Sequence, residues 1–212
     1  MRTVLSRADR QAQTRTELID AAERLFTANG FHTTSLDAVA DAAGYTKGAV
    51  YSNFSSKEDL FFAVYERRVE RHLEHVGRLF DETDDAGEGI LRVVAAVGEL
   101  RRRRADGWMA VFLEFWTHVL RHPEYRARFG ELHGRAIDPF VAAVERYEAQ
   151  QGGALAIPPR QLATAMFAME NGIGLERLTD PDMVDADLPI RLIELLFEGM
   201  NGRRTASDGG GA

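Results

Sequence analysis

Lys47, Tyr51, Asn53 and Lys57 fall within eleven residues and bring together two ammonium groups, a phenol and a carboxamide. Ammonium and phenol groups donate to phosphate oxygens, and a carboxamide can do the same or pair with the edge of adenine. Gly48, Ala49 and Ser52 stand between them and are small enough for the backbone to close on base edges and on a thymine methyl. This is the chemistry of gripping a phosphate-bearing polymer, without any bond made or broken. Of the 26 basic residues only two are lysine, and both lie in this stretch.

The net charge of −7 argues against such a partner until its distribution is considered. Residues 1–57 hold seven bases and six acids, so the acidity belongs to the remainder of the chain. Bond-making chemistry finds little support. There is no cysteine for a disulfide, a zinc knuckle or a thiol nucleophile. No G-x-S-x-G, no Gly-rich phosphate loop after a strand and no H-E-x-x-H occurs in the sequence. Glu114, His118 and His122 share a helical face at i, i+4 and i+8, and a carboxylate with two imidazoles can hold a divalent metal. Pro123 puts His122 at a fraying helix end and no fourth ligand is visible, so the trio reads as a solvated charged face, as do His72 and His75. Neither metal nor cofactor is expected. Arg101–Arg104 reads as a charge run favouring a helix C-terminus.

The elements that must position the donors are helical. Leu18, Ile19, Ala22, Leu25 and Phe26 form the stripe of a first helix that stops at Asn29-Gly30. Thr34-Ser-Leu-Asp37 reads as a capping-box variant opening a second, with Leu36, Val39, Ala40 and Ala43 inward and Gly44 ending it after two turns. Thr46 caps a third short helix anchored by Val50 and Phe54, and Ser55-Ser56-Lys57-Glu58 opens a long fourth running to about residue 81. Further helices are expected near 87–104, 107–121, 124–150, 159–179 and 188–201, with a disordered tail over 205–212. The expected architecture is all-α, about nine helices: a three-helix helix-turn-helix domain over 1–60, then a larger helical domain over 61–204. Two short helices joined by a tight glycine turn make a helix-turn-helix, and small Ala40 and Ala43 let them pack closely.

The stretch 30–60 resembles the DNA-binding signature of the TetR family of bacterial transcriptional regulators, and the likeness extends over roughly 12–62. The family pattern, small-Gly-x-[Ser/Thr]-x-Gly-x-x-Tyr-x-[His/Asn]-Phe-x-x-Lys, is met by Ala43, Gly44, Thr46, Gly48, Tyr51, Asn53, Phe54 and Lys57. Asn53 stands where histidine is commoner. The resemblance implies DNA contacts from Thr34, Ser35, Tyr45, Thr46, Lys47, Gly48, Ala49, Tyr51, Ser52, Asn53 and Lys57. It also implies a homodimer on palindromic double-stranded operator DNA, a small-molecule effector and repression as the default. With no apolar h-region behind the basic N-terminus and no run of roughly 18 apolar residues, a cytoplasmic chain with no membrane partner is expected. A helical interaction module with a vestigial helix-turn-helix is the rival reading, and intact Lys47, Tyr51 and Lys57 argue against it.

The same resemblance assigns pairing to the last two long helices. Leu188, Ile190, Leu192, Ile193, Leu195, Leu196, Phe197 and Met200 surround most of the final helix, which must then be covered on more than one side. Leu162, Met166, Met169 and Ile173 form a seam on the helix before it. The expected interface is that seam with Leu192, Ile193, Leu196 and Met200. Aromatic and thioether bulk between 108 and 167 is the expected effector pocket: Trp108, Phe112, Phe115, Trp116, Phe140, Tyr147, Met166 and Phe167. Candidate polar handles are Glu114, His118, Glu170 and Asn171.

Overall fold

Nine α-helices and one 3-10 turn make up the regular structure of the computed structural model, which describes residues 6–103, 107–152, 154–185 and 187–208. Side chains at 81, 98, 100–103 and 200–208 lie outside that description, and so do the Arg101–Arg104 charge run and the expected interface contact of Met200. In order the helices are α1 (Arg7–Asn29), α2 (Leu36–Ala43), α3 (Lys47–Asn53), α4 (Lys57–Asp81) and α5 (Ala86–Arg103). Then come α6 (Trp108–Arg121), the 3-10 turn Pro123–Tyr125, α7 (Arg126–Gln150), α8 (Pro159–Thr179) and α9 (Leu188–Asp208). No strand occurs among the described residues. The last helix runs to Asp208, into the stretch expected as a loose tail, of which 209–212 lie outside the described residues.

Polar side chains decide where the first four helices start. Ser6 and Asp9 form a reciprocal capping box at α1, each side chain accepting from the other's backbone amide at 3.1 and 3.0 Å. Ser35, and not Thr34, caps α2: its hydroxyl accepts from the Ala38 amide at 3.1 Å. Thr34 is buried and donates to the Gly30 carbonyl at 2.8 Å, which removes it from the expected DNA contacts. Thr46 caps α3 by accepting from the Ala49 amide, and Ser56 caps α4 by accepting from Asp59. Gly44 ends α2 at φ +73, a left-handed conformation that costs glycine least.

The helices group into two units interleaved along the chain: Met1–Glu70 with Asp106–Leu132, and Arg71–Ala105 with His133–Ala212. The first unit therefore holds α6 beside the helix-turn-helix. Its core is Leu18, Ala22 and Phe26 from α1, Val39 and Ala40 from α2, Val50, Phe54, and Leu60, Phe61 and Phe62 from α4. Arg67 and Arg68 of α4 strap α1 through Asp20 and Glu23, with three N–O distances of 2.6 Å. The second unit buries a mostly aliphatic core in which Ile90, Val93, Val144, Leu162, Met166 and Ile193 meet Phe140, Tyr147 and Phe197.

Candidate nucleic-acid interface

Helix α3 is held from within and left open outside. Val50 is fully buried and Phe54 nearly so, while Tyr51 is 59% exposed. Lys47, Gly48 and Ser52 are exposed too, as are Ser35 and Thr46 at the two caps. A Cβ at Gly48 would meet only the Thr46 hydroxyl, at 3.8 Å, so nothing within the chain requires glycine there. The absent side chain clears room on the outward surface.

Each polar side chain of the motif has a definite partner. The Lys47 ammonium sits 2.5 Å from Asp37, and that bond, with the carboxylate's charge, raises its pKa. Both groups face water, so a phosphate can displace the aspartate at little cost. Asn53 donates to the Ala49 carbonyl at 2.8 Å and to the Ser52 hydroxyl at 3.4 Å, which leaves its amide oxygen to accept from a base edge. Ser52 donates to the same carbonyl. Tyr45 is half-buried and its hydroxyl donates to Glu17 at 2.6 Å, lowering the glutamate's pKa. Its place is therefore a tie between α1 and the helix-turn-helix turn. Lys57 donates to the His32 carbonyl at 3.0 Å and lies 4.6 Å from the centre of the Phe31 ring. Burial lowers its pKa, yet two N–H donors remain.

One contact has no mark in the sequence pattern. Arg15 lies 4.4 Å over the Phe54 ring and donates to the Asn53 carbonyl at 3.2 Å, capping the end of α3 from α1. Its partner stands 38 residues away, beyond the range of any local rule.

The expected effector residues divide between the units. Trp108, Phe112, Phe115, Trp116 and His118 belong to the first, and Phe140, Tyr147, Met166, Phe167, Glu170 and Asn171 to the second. Phe115 is fully buried, stacked on Phe61 at 3.9 Å and edge-on to Phe31 and Phe62 at 5.0 and 5.1 Å. It fills the core under the helix-turn-helix, which corrects its assignment as an effector contact. Trp108 stacks on Phe61 with Arg68 above it. Phe112 contacts Trp116 and Phe129, again within the first unit. In the second unit Phe140 and Phe167 lie 6.0 Å apart, with His72 beside the first and His133 edge-on to the second. Tyr147 stacks on Phe197 at 4.5 Å.

Glu114 and His118 do not form a solvated face. Glu114 accepts from the backbone amides of Phe31 and His32, and the His118 side chain is only 13% exposed. His118 stacks on His122 at 4.1 Å, and no group of three candidate ligands among the described residues is arranged to hold a metal. At the expected interface Leu162, Met166 and Ile193 are buried in their own core, because they turn toward α5 and α7 instead of outward. Met169, Ile173 and Leu192 are half-buried, and Leu196 is exposed. Open apolar side chains on these two helices and the loop between them include Leu175 and Leu178 of α8, Met183, and Leu195 and Leu196 of α9.

Comparison with known proteins sets this geometry in context. Residues 18–64 match the family model described as bacterial regulatory proteins, tetR family. Residues 87–199, more than half of the chain, match the model of the BetI-type transcriptional repressor C-terminal domain. The HTH-type transcriptional regulator TtgR of Pseudomonas putida is 30% identical over 191 residues, 86% of this chain and 89% of its own length. UidR of Escherichia coli is 31% identical over 66% of this chain and 68% of its own. The transcriptional activator FasR of Mycolicibacterium smegmatis is 31% identical over 46% of this chain and 45% of its own, so under half of that relative is spanned. Among solved structures, FadR of Bacillus subtilis in complex with stearoyl-CoA superposes with a TM-score of 0.70 at 19% identity, covering 85% of this chain and 96% of that one. A putative regulator from Saccharomonospora viridis in complex with choline gives 0.68 at 21% identity, covering 88% and 96%. Likeness at that identity speaks for the fold. No helix among the described residues is long and apolar enough to cross a membrane.

Proposed function

The chain belongs to the tetR family of bacterial regulatory proteins, DNA-binding transcriptional regulators and not enzymes, and from that premise we propose that it is a cytoplasmic homodimeric repressor released from a palindromic operator by a small, mainly apolar effector. The observation that carries the DNA reading is α3: seven residues, capped by Thr46, pinned inward by Val50 and Phe54, and presenting Lys47, Gly48, Tyr51 and Ser52 outward. Such a helix enters a major groove by its N-terminal end, and small residues there let it sit close to the bases. Lys47, Tyr51 and the remaining donors of Lys57 then hold phosphates, with Ser35 at the start of α2 beside them.

A second copy places two recognition helices about one helical turn of DNA apart, which requires a two-fold operator. Leu196, expected at the interface, together with Leu175, Leu178 and Leu195 supplies the apolar surface for that pairing, in place of the buried Leu162, Met166 and Ile193. The effector reading rests on the second unit, where Phe140 and Phe167 lie near two imidazoles and where Glu170 and Asn171 supply polarity. A tenfold effect on DNA affinity needs about 1.4 kcal/mol of preference between two conformations. Selection from a random duplex pool, read by gel shift, tests the proposal. We expect an enriched inverted repeat with half-sites one turn apart, and failure to enrich any sequence would overturn it. An effector counts as one only if it binds the free protein more tightly than the operator complex.

A further inference from the structure

The α6 region approaches the end of α1 at two glycines, Gly107 and Gly30. At Gly107, φ +67, a Cβ would lie 2.7 Å from the Thr27 carbonyl oxygen. At Gly30, φ +90, it would lie 2.7 Å from Glu114 Oε1. Gly107 is thus demanded twice, by its backbone angle and by the Thr27 backbone, while Gly30 is demanded by its angle, its near neighbour being the movable tip of the Glu114 side chain. Glu114 uses that closeness to reach the turn between α1 and α2, where Oε2 accepts from the Phe31 amide at 2.8 Å and from the His32 amide at 3.3 Å.

Lys57 holds the same turn by its other polar end. Its ammonium takes the His32 carbonyl at 3.0 Å, so the N–H of His32 is bound by an anion on α6 and the C=O by a cation on α4. The Phe31 ring is buried among Phe26, Phe61 and Phe115. Thr34 and Ser35 follow at once, the first tied back to Gly30 and the second capping α2. The clamped turn therefore fixes where α2 begins, and α2 fixes α3 by direct packing. Charge-assisted bonds from a carboxylate to backbone amides are about twice as strong as neutral ones, which suits Glu114 to this hold.

We propose that Glu114 is a positioning residue for DNA binding: through the Phe31 and His32 amides it sets the entry of the helix-turn-helix and couples it to α6. The inference rests on reading 34–57 as the DNA-binding unit. It assigns Glu114 neither to the effector nor to a metal. Asp is too short by one methylene to span the gap, while Gln keeps an acceptor oxygen at the same reach, so the two variants separate reach from charge.

The test uses the full chain with Glu114→Ala, Glu114→Asp and Glu114→Gln. Operator affinity, the salt slope on a random duplex and amide exchange at Phe31 and His32 are measured together. In Glu114→Ala and Glu114→Asp we expect exchange at both amides to rise at least tenfold, operator affinity to fall about tenfold and the salt slope to stay unchanged, since no phosphate contact is lost. Glu114→Gln, with a neutral acceptor at the same reach, should restore part of both. Unchanged exchange and affinity in folded Glu114→Ala would overturn the proposal, and so would rescue by Asp but not Gln, which would mark a field effect of the charge. Should Glu114→Ala fail to fold, the Asp and Gln pair decides alone. If the wild-type chain binds no duplex, the DNA reading fails, and the exchange measurements still judge the clamp.

Discussion

The two units of this molecule carry their information at different ranges. In the helix-turn-helix of the first, adjacent residues set the local geometry: Ser35, Thr46 and Ser56 start helices, Gly44 turns the chain, and Val50 and Phe54 point inward. The holds of Arg15 and Glu114 arrive from afar. In the second, the core joins α5, α7, α8 and α9 across more than a hundred residues, with Ile90 and Phe197 in one cluster. A recognition motif must be rebuilt the same way each time it meets DNA, so its chemistry is local. A core that holds an effector needs only the right volume, which many sequences can supply. The difference explains why one half declares its partner and the other does not.

The sharpest way to break that comparison is at Phe115, expected as an effector contact and found in the core of the first unit. Phe115→Ala should cost about 3–5 kcal/mol of stability, as large aromatic truncations in a packed core do. Phe167→Ala, at a half-buried ring of the second unit, should cost clearly less and should instead change effector affinity. Urea unfolding of both variants, read beside effector titration, makes the check. A mild Phe115→Ala with altered effector binding would return α6 to the pocket.

Next in size is the pairing surface. Leu195→Glu places a charge where the side chain is 62% exposed, so the isolated subunit keeps its fold. Sedimentation should show a dimer becoming a monomer, with operator affinity falling about a hundredfold or more as one half-site is lost. Ile193→Glu should unfold the second unit, since Ile193 is fully buried. If Leu195→Glu remains dimeric, the open leucines of α8 and α9 are not the interface.

Lys57→Ala should act more gently. Loss of one phosphate contact weakens binding to all sequences alike and lowers the salt slope by roughly one unit. The structure adds a second expectation, faster exchange in the 31–33 turn, because the same ammonium holds the His32 carbonyl. An unchanged slope with faster exchange would make Lys57 a clamp and not a phosphate contact.

Legibility follows the same division. The helix order, the caps at Thr46 and Ser56 and the break at Pro158-Pro159 can be read because each is a local rule about backbone angle or an orphan amide. Thr34 misleads because Thr and Ser are both good caps, and only the fold shows which hydroxyl turns inward to Gly30. The aromatic stripe of α6 is visible in the sequence but its neighbour is not: periodicity gives the buried face of a helix and is silent on what covers it. Arg15 and the hold of Glu114 are out of reach for the same reason, since their partners lie 38 and 83 residues away. Ile193 and Leu195 are both branched aliphatics on one apolar helix, and only packing distinguishes core from open surface.

The smallest expected effect compares a buried imidazole from each unit. Burial lowers the pKa of His118 below the usual 6.5, helped by His122, His32 and Lys57 and opposed by Glu58, whose Oε1 lies 3.4 Å from Nε2. Burial alone lowers that of His133, which faces Phe167. In both cases the native state prefers the neutral ring, so the unfolded chain takes up a proton first as pH falls through 6.5. Stability is therefore complete above that value and declines toward each folded pKa. The carboxylates with lowered pKa, among them Asp59 and Glu124, start from 3.8 and 4.5 and act only in stronger acid, so the window from about 6.5 down to about 5 isolates the histidines. We expect urea midpoints to drop between about pH 7.5 and about pH 5 in the wild type, with part of the drop removed by His118→Gln and part by His133→Gln. Operator binding should follow only the first, because His118 lies against Phe31 in the turn that enters the helix-turn-helix. Acid sensitivity of DNA binding that disappears in His133→Gln instead would show that the second unit governs the first.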